Sequence, residues 1–292
     1  MIRVPHRTGG PVASRSGTPA RRNARATQDE LHINRNNRTI PIEVKICGLT
    51  TPAAAAACAA AGASAIGMVF HPTSPRDLTP EQARKIAAVV PKGVARVGVF
   101  VDQDADAILR IAEQVGLDTV QLHGNWRDLP IEAFQARGLR VVCVLRTNGE
   151  ELLADERRVP PDAGVLMECG RGVLPGGNGV AWDWTGAAVL CGVRPFAIAG
   201  GLTPDTVADA IRASSASAVD VSSGVESAPG VKDLDKVTAF IATVRATGDK
   251  ACGSVFQPIR KSEFRTEQRV GTAVPAVRGR LGEASLPRLC NE

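Results

Sequence analysis

The sequence of 292 residues has no CxxC pair, no Cys/His spacing suited to a metal site and no apolar run approaching the roughly 20 residues that span a bilayer. Its seven cysteines (Cys47, Cys58, Cys143, Cys169, Cys191, Cys252 and Cys290) are odd in number and scattered. That excludes a disulfide framework and reads as free thiols in a reducing compartment. The N-terminus lacks the apolar h-region of a secretory signal. These absences predict a soluble, intracellular protein, cytoplasmic in the first reading. The arginine-rich, acid-poor first 40 residues leave an organelle transit peptide as the alternative.

Positive charge is scarce where a nucleic-acid-binding fold would need it. The net charge is +5, but residues 1–40 hold eight arginines against Asp29 and Glu30, and residues 247–292 hold eight Lys or Arg against five acids. The stretch between them is therefore net −4. An acidic body with basic ends argues against nucleic acid as a partner, and nothing in the chain asks for a membrane. Both ends are expected to be disordered: residues 1–42 as a basic extension, and 247–292 as a tail with scattered Pro, Gly and Arg and no sustained period.

Between residues 43 and 246, short β-branched apolar runs alternate with longer helical patterns, the mark of repeated βα units on a parallel sheet. Strands are predicted at 43–47, 65–70, 95–101, 118–122, 140–145, 163–168, 195–199 and 217–221. Helices are predicted at 51–61, 79–89, 104–115, 128–137, 149–157, 184–191, 204–213 and 233–246. Eight units in about 200 residues predict a single α/β domain, a (β/α)8 TIM barrel. The runs are nearly continuously apolar, as barrel strands buried on both faces should be. Thr51-Pro52, Thr79-Pro80 and Thr203-Pro204 each set a Thr N-cap before a Pro at the first helical position.

In such a barrel the chemistry belongs to the strand C-termini and the loops after them. Those positions are polar here. Strand one ends at Cys47, strand two leads to Arg76, strand four reaches His123, strand six ends at Glu168 and strand eight carries Asp220. Strand seven runs into Gly200-Gly201 and strand eight into Ser222-Ser223-Gly224. Glycines admit an anion close to the backbone and hydroxyls with free N–H groups bind phosphate oxygens, so these two loops predict a phosphate site and a small phosphorylated ligand. The Pro175–Gly179 loop, with Gly177 and Gly179, is a third candidate on the phosphate side or a lid. Asp183 is read as a helix N-cap.

The runs KICGLT (45–50), FHPTSPRDLTPEQA (70–83), VGVFVD (97–102), VQLHG (120–124), PGGNG followed by WDW (175–184), AGGLTPD (199–205) and VDVSSGVESAPGVKDLDKV (219–237) resemble phosphoribosylanthranilate isomerase. The resemblance covers about 43–246 and all eight units in order. It implies a cofactor-independent Amadori rearrangement in tryptophan biosynthesis, with Cys47 as the base, Glu168 as the acid, and Arg76 facing the anthranilate carboxylate. It further implies that His123 and Asp220 lie near the substrate, that the glycine and serine loops hold its phosphate, and that the protein is a monomer or homodimer. Because a free thiol is a poor base until ionised, a nearby cation or dipole is expected to lower the pKa of Cys47. Two positions depart from the family pattern: Glu168 stands where the family has aspartate, and Asn178 where it has threonine. A divergent paralogue acting on another phosphosugar or aminoaldose, and a non-catalytic phospho-ligand-binding barrel, are the alternatives.

Overall fold

A computed structural model describes residues 41–147, 156–170, 181–248 and 254–257. Eight parallel strands close into a barrel in chain order: β1 (Glu43–Cys47), β2 (Ala65–Phe70), β3 (Ala95–Val101), β4 (Thr119–His123), β5 (Arg140–Thr147), β6 (Gly164–Cys169), β7 (Phe196–Ala199) and β8 (Ala218–Val221). The barrel closes where β1 pairs with β8, with Lys45 opposite Asp220 and Ile46 opposite Val221. The strands fall within one or two residues of their predicted ends. β5 runs two residues further, to Thr147.

The described α-helices are α1 (Pro52–Ala60), α2 (Pro80–Ala87), α3 (Ala105–Val115), α4 (Ile131–Ala136), α5 (Val207–Ser214) and α6 (Leu234–Ala246). The Thr-Pro starts explain two of them. Thr51 accepts a hydrogen bond from the Ala54 amide, and Thr79 forms a reciprocal capping box with Gln82. The third start differs from expectation, because α5 begins at Val207 rather than Pro204. Thr203 still accepts from the Thr206 amide at 3.3 Å, but the Thr206 hydroxyl turns back to the Gly201 carbonyl at 3.0 Å and holds residues 204–206 in a turn. The helix expected at 184–191 is a 3-10 helix, Trp184–Leu190, capped by Asp183 as predicted. Most of the helix expected at 149–157 lies outside the described residues.

Two apolar layers hold the fold. The larger lies between the outer face of the sheet and the helices, and includes Val44, Ile46, Ile66, Met68, Phe134, Phe196 and Phe240. The smaller fills the barrel interior and contains Ala65, Ala95, Ala197 and Ala218 near the strand starts, with Val97, Val142, Val144 and Leu166 above them. Bulky branched side chains usually fill such layers, so a ring of alanines leaves the lower end of the barrel under-filled.

The space is filled by residues that the sequence assigned to a disordered tail. Val255 and Phe256 are fully buried within this inner layer. The Glu43 carboxylate accepts from the Ser254 hydroxyl (2.6 Å) and from the amides of Val255 (2.7 Å) and Phe256 (3.1 Å). Thr119 donates to the Phe256 carbonyl at 2.7 Å, Arg140 donates to the carbonyls of Ser254 and Val255, and Gln257 donates to Ser64 and Gly93. Gly164 leaves room for the Val255 carbonyl, which would stand 3.0 Å from any Cβ there. Complete burial of a Val or Phe side chain is worth about 1.5–3 kcal/mol, which explains why so short a segment orders. At the other end, Ile42 is buried and its carbonyl accepts from Arg245 at 2.7 Å, so the body starts one residue before the first strand. Residues 1–40 of the expected N-terminal extension lie outside the described residues.

Candidate active site

At the C-terminal rim a cavity is lined by Cys47, Arg76, Gln121, His123, Glu168, Gly200, Gly201, Asp220, Ser222, Ser223 and Gly224, among others. Ten of the predicted site residues therefore converge on one pocket. Gly177 and Gly179, with Asn178, lie outside the described residues.

Cys47 ends β1 and is half-buried. Its sulfur rests against Gly67 of β2, where an added Cβ would stand 2.9 Å from Sγ and 3.1 Å from Cε of Lys45. Lys45, two residues earlier on the same inward face, is wholly buried, and its Nζ donates to Asp220 Oδ2 at 2.8 Å. Burial works against the ammonium, but Asp220 and Cys47 outweigh it and raise the Lys45 pKa above the ordinary lysine value. For Cys47 the balance differs from expectation. Burial pushes the thiol up, and although Lys45 and Lys232 pull it down, the net shift is upward. The cation expected beside the thiol is present, but desolvation by burial is the larger effect.

Arg76 presents its fork to a protein carboxylate. Nε donates to Glu226 Oε1 at 2.8 Å and Nη2 to Oε2 at 2.7 Å, with both side chains buried. These hydrogen bonds raise the arginine's pKa further. Burial alone would push Glu226 up, yet Arg76 and Lys232 hold its carboxyl below the usual range. Lys232 donates to Glu226 Oε1 at 2.6 Å and to the Ser222 carbonyl at 3.1 Å, and burial lowers its pKa despite these partners. Ser222 in turn donates to the Cys47 carbonyl at 3.1 Å. Glu226 and Lys232 come from a short hairpin, β9 (Glu226–Ala228) and β10 (Val231–Lys232), so this hairpin ties the β2 loop to the β8 loop.

Across the pocket, Glu168 Oε1 has His123 Nδ1 at 3.5 Å and Arg146 Nε at 3.6 Å, and His123 Nε2 is 2.9 Å from Gln121 Nε2. Two buried acceptors along the cavity, Asp220 Oδ1 and Gln121 Oε1, lack a hydrogen-bond partner among the described residues. Buried polar atoms left unpaired are costly, so these oxygens suit a ligand with hydroxyl or amine donors. Gly224 lies so close to the Leu202 carbonyl that no Cβ fits, which packs the two expected phosphate loops against each other.

The sequence reasoning missed Lys45, Gln121, Glu226 and Lys232. Lys45 had a signal: Glu43, Lys45 and Cys47 alternate along a strand otherwise apolar, which places all three inside the barrel.

A family model described as N-(5'phosphoribosyl)anthranilate (PRA) isomerase matches residues 44–243. The chain is 44% identical over 219 residues to an N-(5'-phosphoribosyl)anthranilate isomerase of Paracoccus denitrificans, covering 70% of this chain and 98% of that relative. It is 42% identical to the same-named protein of Rhodospirillum centenum, over 71% of this chain and all of that one. Among solved structures, phosphoribosyl anthranilate isomerase from Thermotoga maritima superposes with a TM-score of 0.64 at 35% identity, over 70% of this chain and 99% of that one. A phosphoribosyl anthranilate isomerase solved in complex with reduced 1-(o-carboxyphenylamino)-1-deoxyribulose 5-phosphate superposes at 0.60 with 34% identity, over the same shares. With eight parallel strands in a closed barrel, a family model matched over residues 44–243 and relatives more than 40% identical along nearly their whole length, the chain belongs to the N-(5'-phosphoribosyl)anthranilate isomerase family.

Proposed function

We propose that the pocket isomerises N-(5'-phosphoribosyl)anthranilate to 1-(2-carboxyphenylamino)-1-deoxyribulose 5-phosphate, the aldose-ketose step of tryptophan biosynthesis, without a cofactor. The observation that carries this reading is the pairing of a half-buried thiol at Cys47 with a buried carboxyl at Glu168 in one cavity that also holds two glycine- and serine-bearing loops.

The chemistry needs one acid and one base. Protonation of the ring oxygen lets the C1'–O bond break while the amine lone pair forms the C1'=N imine; Glu168 supplies that proton. Loss of the C2' proton to the Cys47 thiolate converts the protonated imine to an enolamine; that proton then passes to C1' while the 2'-hydroxyl proton returns to the Glu168 carboxylate, which gives the C2' ketone and restores both groups. No atom is gained or lost overall, and no redox partner is needed. Arg76 and His123 orient the substrate, with Asp220, and the phosphate is held by Gly200, Gly201, Ser222, Ser223 and Gly224.

Arg76 has a specific role in this reading. Glu226 fixes its guanidinium plane, and a substrate carboxylate meets the remaining Nη1 side. Glu168 carries one methylene more than the family aspartate, about 1.5 Å of added reach. His123 and Arg146 flank its tip, which supports the reading that this pocket is built around glutamate.

The partner is a small phosphorylated molecule, bound by a cytoplasmic monomer or homodimer. No described helix is long and apolar enough to cross a membrane, and one relative in the family is a dimeric phosphoribosylanthranilate isomerase that has been converted to monomers.

The test is a steady-state assay with freshly generated phosphoribosylanthranilate, following loss of substrate fluorescence. Turnover by the wild type that vanishes in a folded Cys47→Ala variant supports the assignment. Absence of turnover in the wild type, with turnover gained in Glu168→Asp, would sink it in favour of another phosphosugar.

A further inference from the structure

Residues 254–257 lie beyond the family match, which ends at 243, yet they reach the inside of the barrel. They are joined to the N-terminal ends of β1, β4 and β5 and to the segments leading into β2 and β3. Such contacts at the bottom of a barrel ordinarily bear on stability alone. Here one of them touches the catalytic column, because the Phe256 ring lies beneath Lys45 with Nζ 5.8 Å from its centroid. That is within the range of a cation–π contact, and an aromatic face beneath the ammonium also keeps water away from it.

Above Phe256 the column continues upward through Lys45 to Cys47. Lys45 Nζ is bound to Asp220, and Cys47 Sγ and Lys45 Cε stand 2.9 and 3.1 Å from one and the same point above Gly67, close enough for the ammonium to act on the thiol by charge. We propose that Ser254–Gln257 is a floor segment through which Phe256 positions Lys45 against Cys47, so that this C-terminal extension serves catalysis as well as folding. The proposal rests on the isomerase reading only in naming Cys47 as the base.

The charged groups facing Cys47 are few. They are Lys45 on its own strand, Asp220 on β8, Lys232 on the following hairpin and Arg76 from the β2 loop, while the residue of β2 paired with Cys47 is Gly67. Of these, Lys45 alone touches the floor. Cys47 lies two residues, about 6.6 Å, further along the strand, so water admitted at position 256 meets the ammonium first and weakens its hold on the thiolate. Phe256 lines no part of the substrate pocket, and its effect has to travel through Lys45.

The experiment uses the full chain and two readouts: the rate at which iodoacetamide alkylates Cys47 at pH 8, followed by peptide mapping, and kcat with KM. Phe256→Ala is expected to slow Cys47 alkylation about threefold or more, the effect of half a pKa unit or more on thiolate fraction, and to lower kcat with little change in KM. Phe256→Leu retains most of the apolar volume without the ring face; it is expected to move both readouts the same way by less, and it replaces the alanine variant if that fails to fold. A variant that melts earlier but alkylates and turns over at the wild-type rate would overturn the proposal, leaving the floor a purely structural plug. Because alkylation needs no substrate, it reads the floor even if the wild type lacks isomerase activity, a result that would instead defeat the functional reading.

Discussion

Lys45 and Asp220 face each other in the register of β1 and β8, and their side chains join at 2.8 Å where the barrel closes. The pair is nearly dry, with side-chain exposures of 0% and 7%. Two buried opposite charges offset each other's desolvation, whereas either alone is costly. One contact therefore serves both the seam of the barrel and the thiol above it.

Removing one partner should cost far more than removing both. Lys45→Met or Asp220→Asn is expected to lose about 3–5 kcal/mol of stability, while Lys45→Met combined with Asp220→Leu recovers most of it. Urea unfolding of the three variants checks this. Equal losses in the single and double variants would show that the pair is not coupled.

Gly67 predicts a rate effect without a binding effect. An alanine Cβ there would stand 2.9 Å from Cys47 Sγ, closer than real contacts allow, and a tight 3.0 Å from Cys47 Cα, so the thiol must shift. A displacement of about 1 Å at a reacting group costs on the order of 100-fold in rate. Gly67→Ala is expected to lower kcat by that order while inhibition by inorganic phosphate, which reports the loops after β7 and β8, stays unchanged.

The barrel was legible in the sequence because its signals are local and repeated. Eight apolar runs, each ended by a polar or glycine-bearing loop, and Thr-Pro starts such as Thr51-Pro52 need no knowledge of distant contacts. The site was legible at the strand ends for the same reason. What stayed hidden depends on long-range pairing. Glu226 meets Arg76 across 150 residues, and nothing near either marks the other. Val255 and Phe256 form an apolar pair too short to show a period, and their place is set by alanines scattered over four strands. The upward shift of Cys47 reflects burial, a property of the closed pocket that residue order does not carry.

The Arg76–Glu226–Lys232 cluster predicts an acid limb of stability. The carboxyl of Glu226 titrates lower in the folded protein than in the unfolded chain. Its contribution is therefore fully present above the ordinary carboxylate value near 4.3, and is lost as pH falls through the lower folded value. Glu226→Gln is expected to flatten the loss of Tm in that acid window. It also frees the Arg76 fork from a fixed partner, so KM should rise more than kcat falls. An unchanged acid limb in the variant would place the acid sensitivity elsewhere.

Glu168→Asp tests whether the pocket has adapted to its longer acid. Shortening the arm by about 1.5 Å withdraws the carboxyl from His123 and Arg146, which now lie 3.5 and 3.6 Å from Oε1. If those two side chains hold the acid in place, the family residue works less well here than glutamate, and kcat should fall by about 10- to 100-fold. Glu168→Gln keeps the length but cannot donate the proton, and general acid catalysis is worth about 100- to 10,000-fold. The order of rates expected is therefore wild type, then Glu168→Asp, then Glu168→Gln, all at a similar Tm. A Glu168→Asp enzyme faster than the wild type would mean that the pocket still fits the shorter acid, and that glutamate marks drift towards a different substrate.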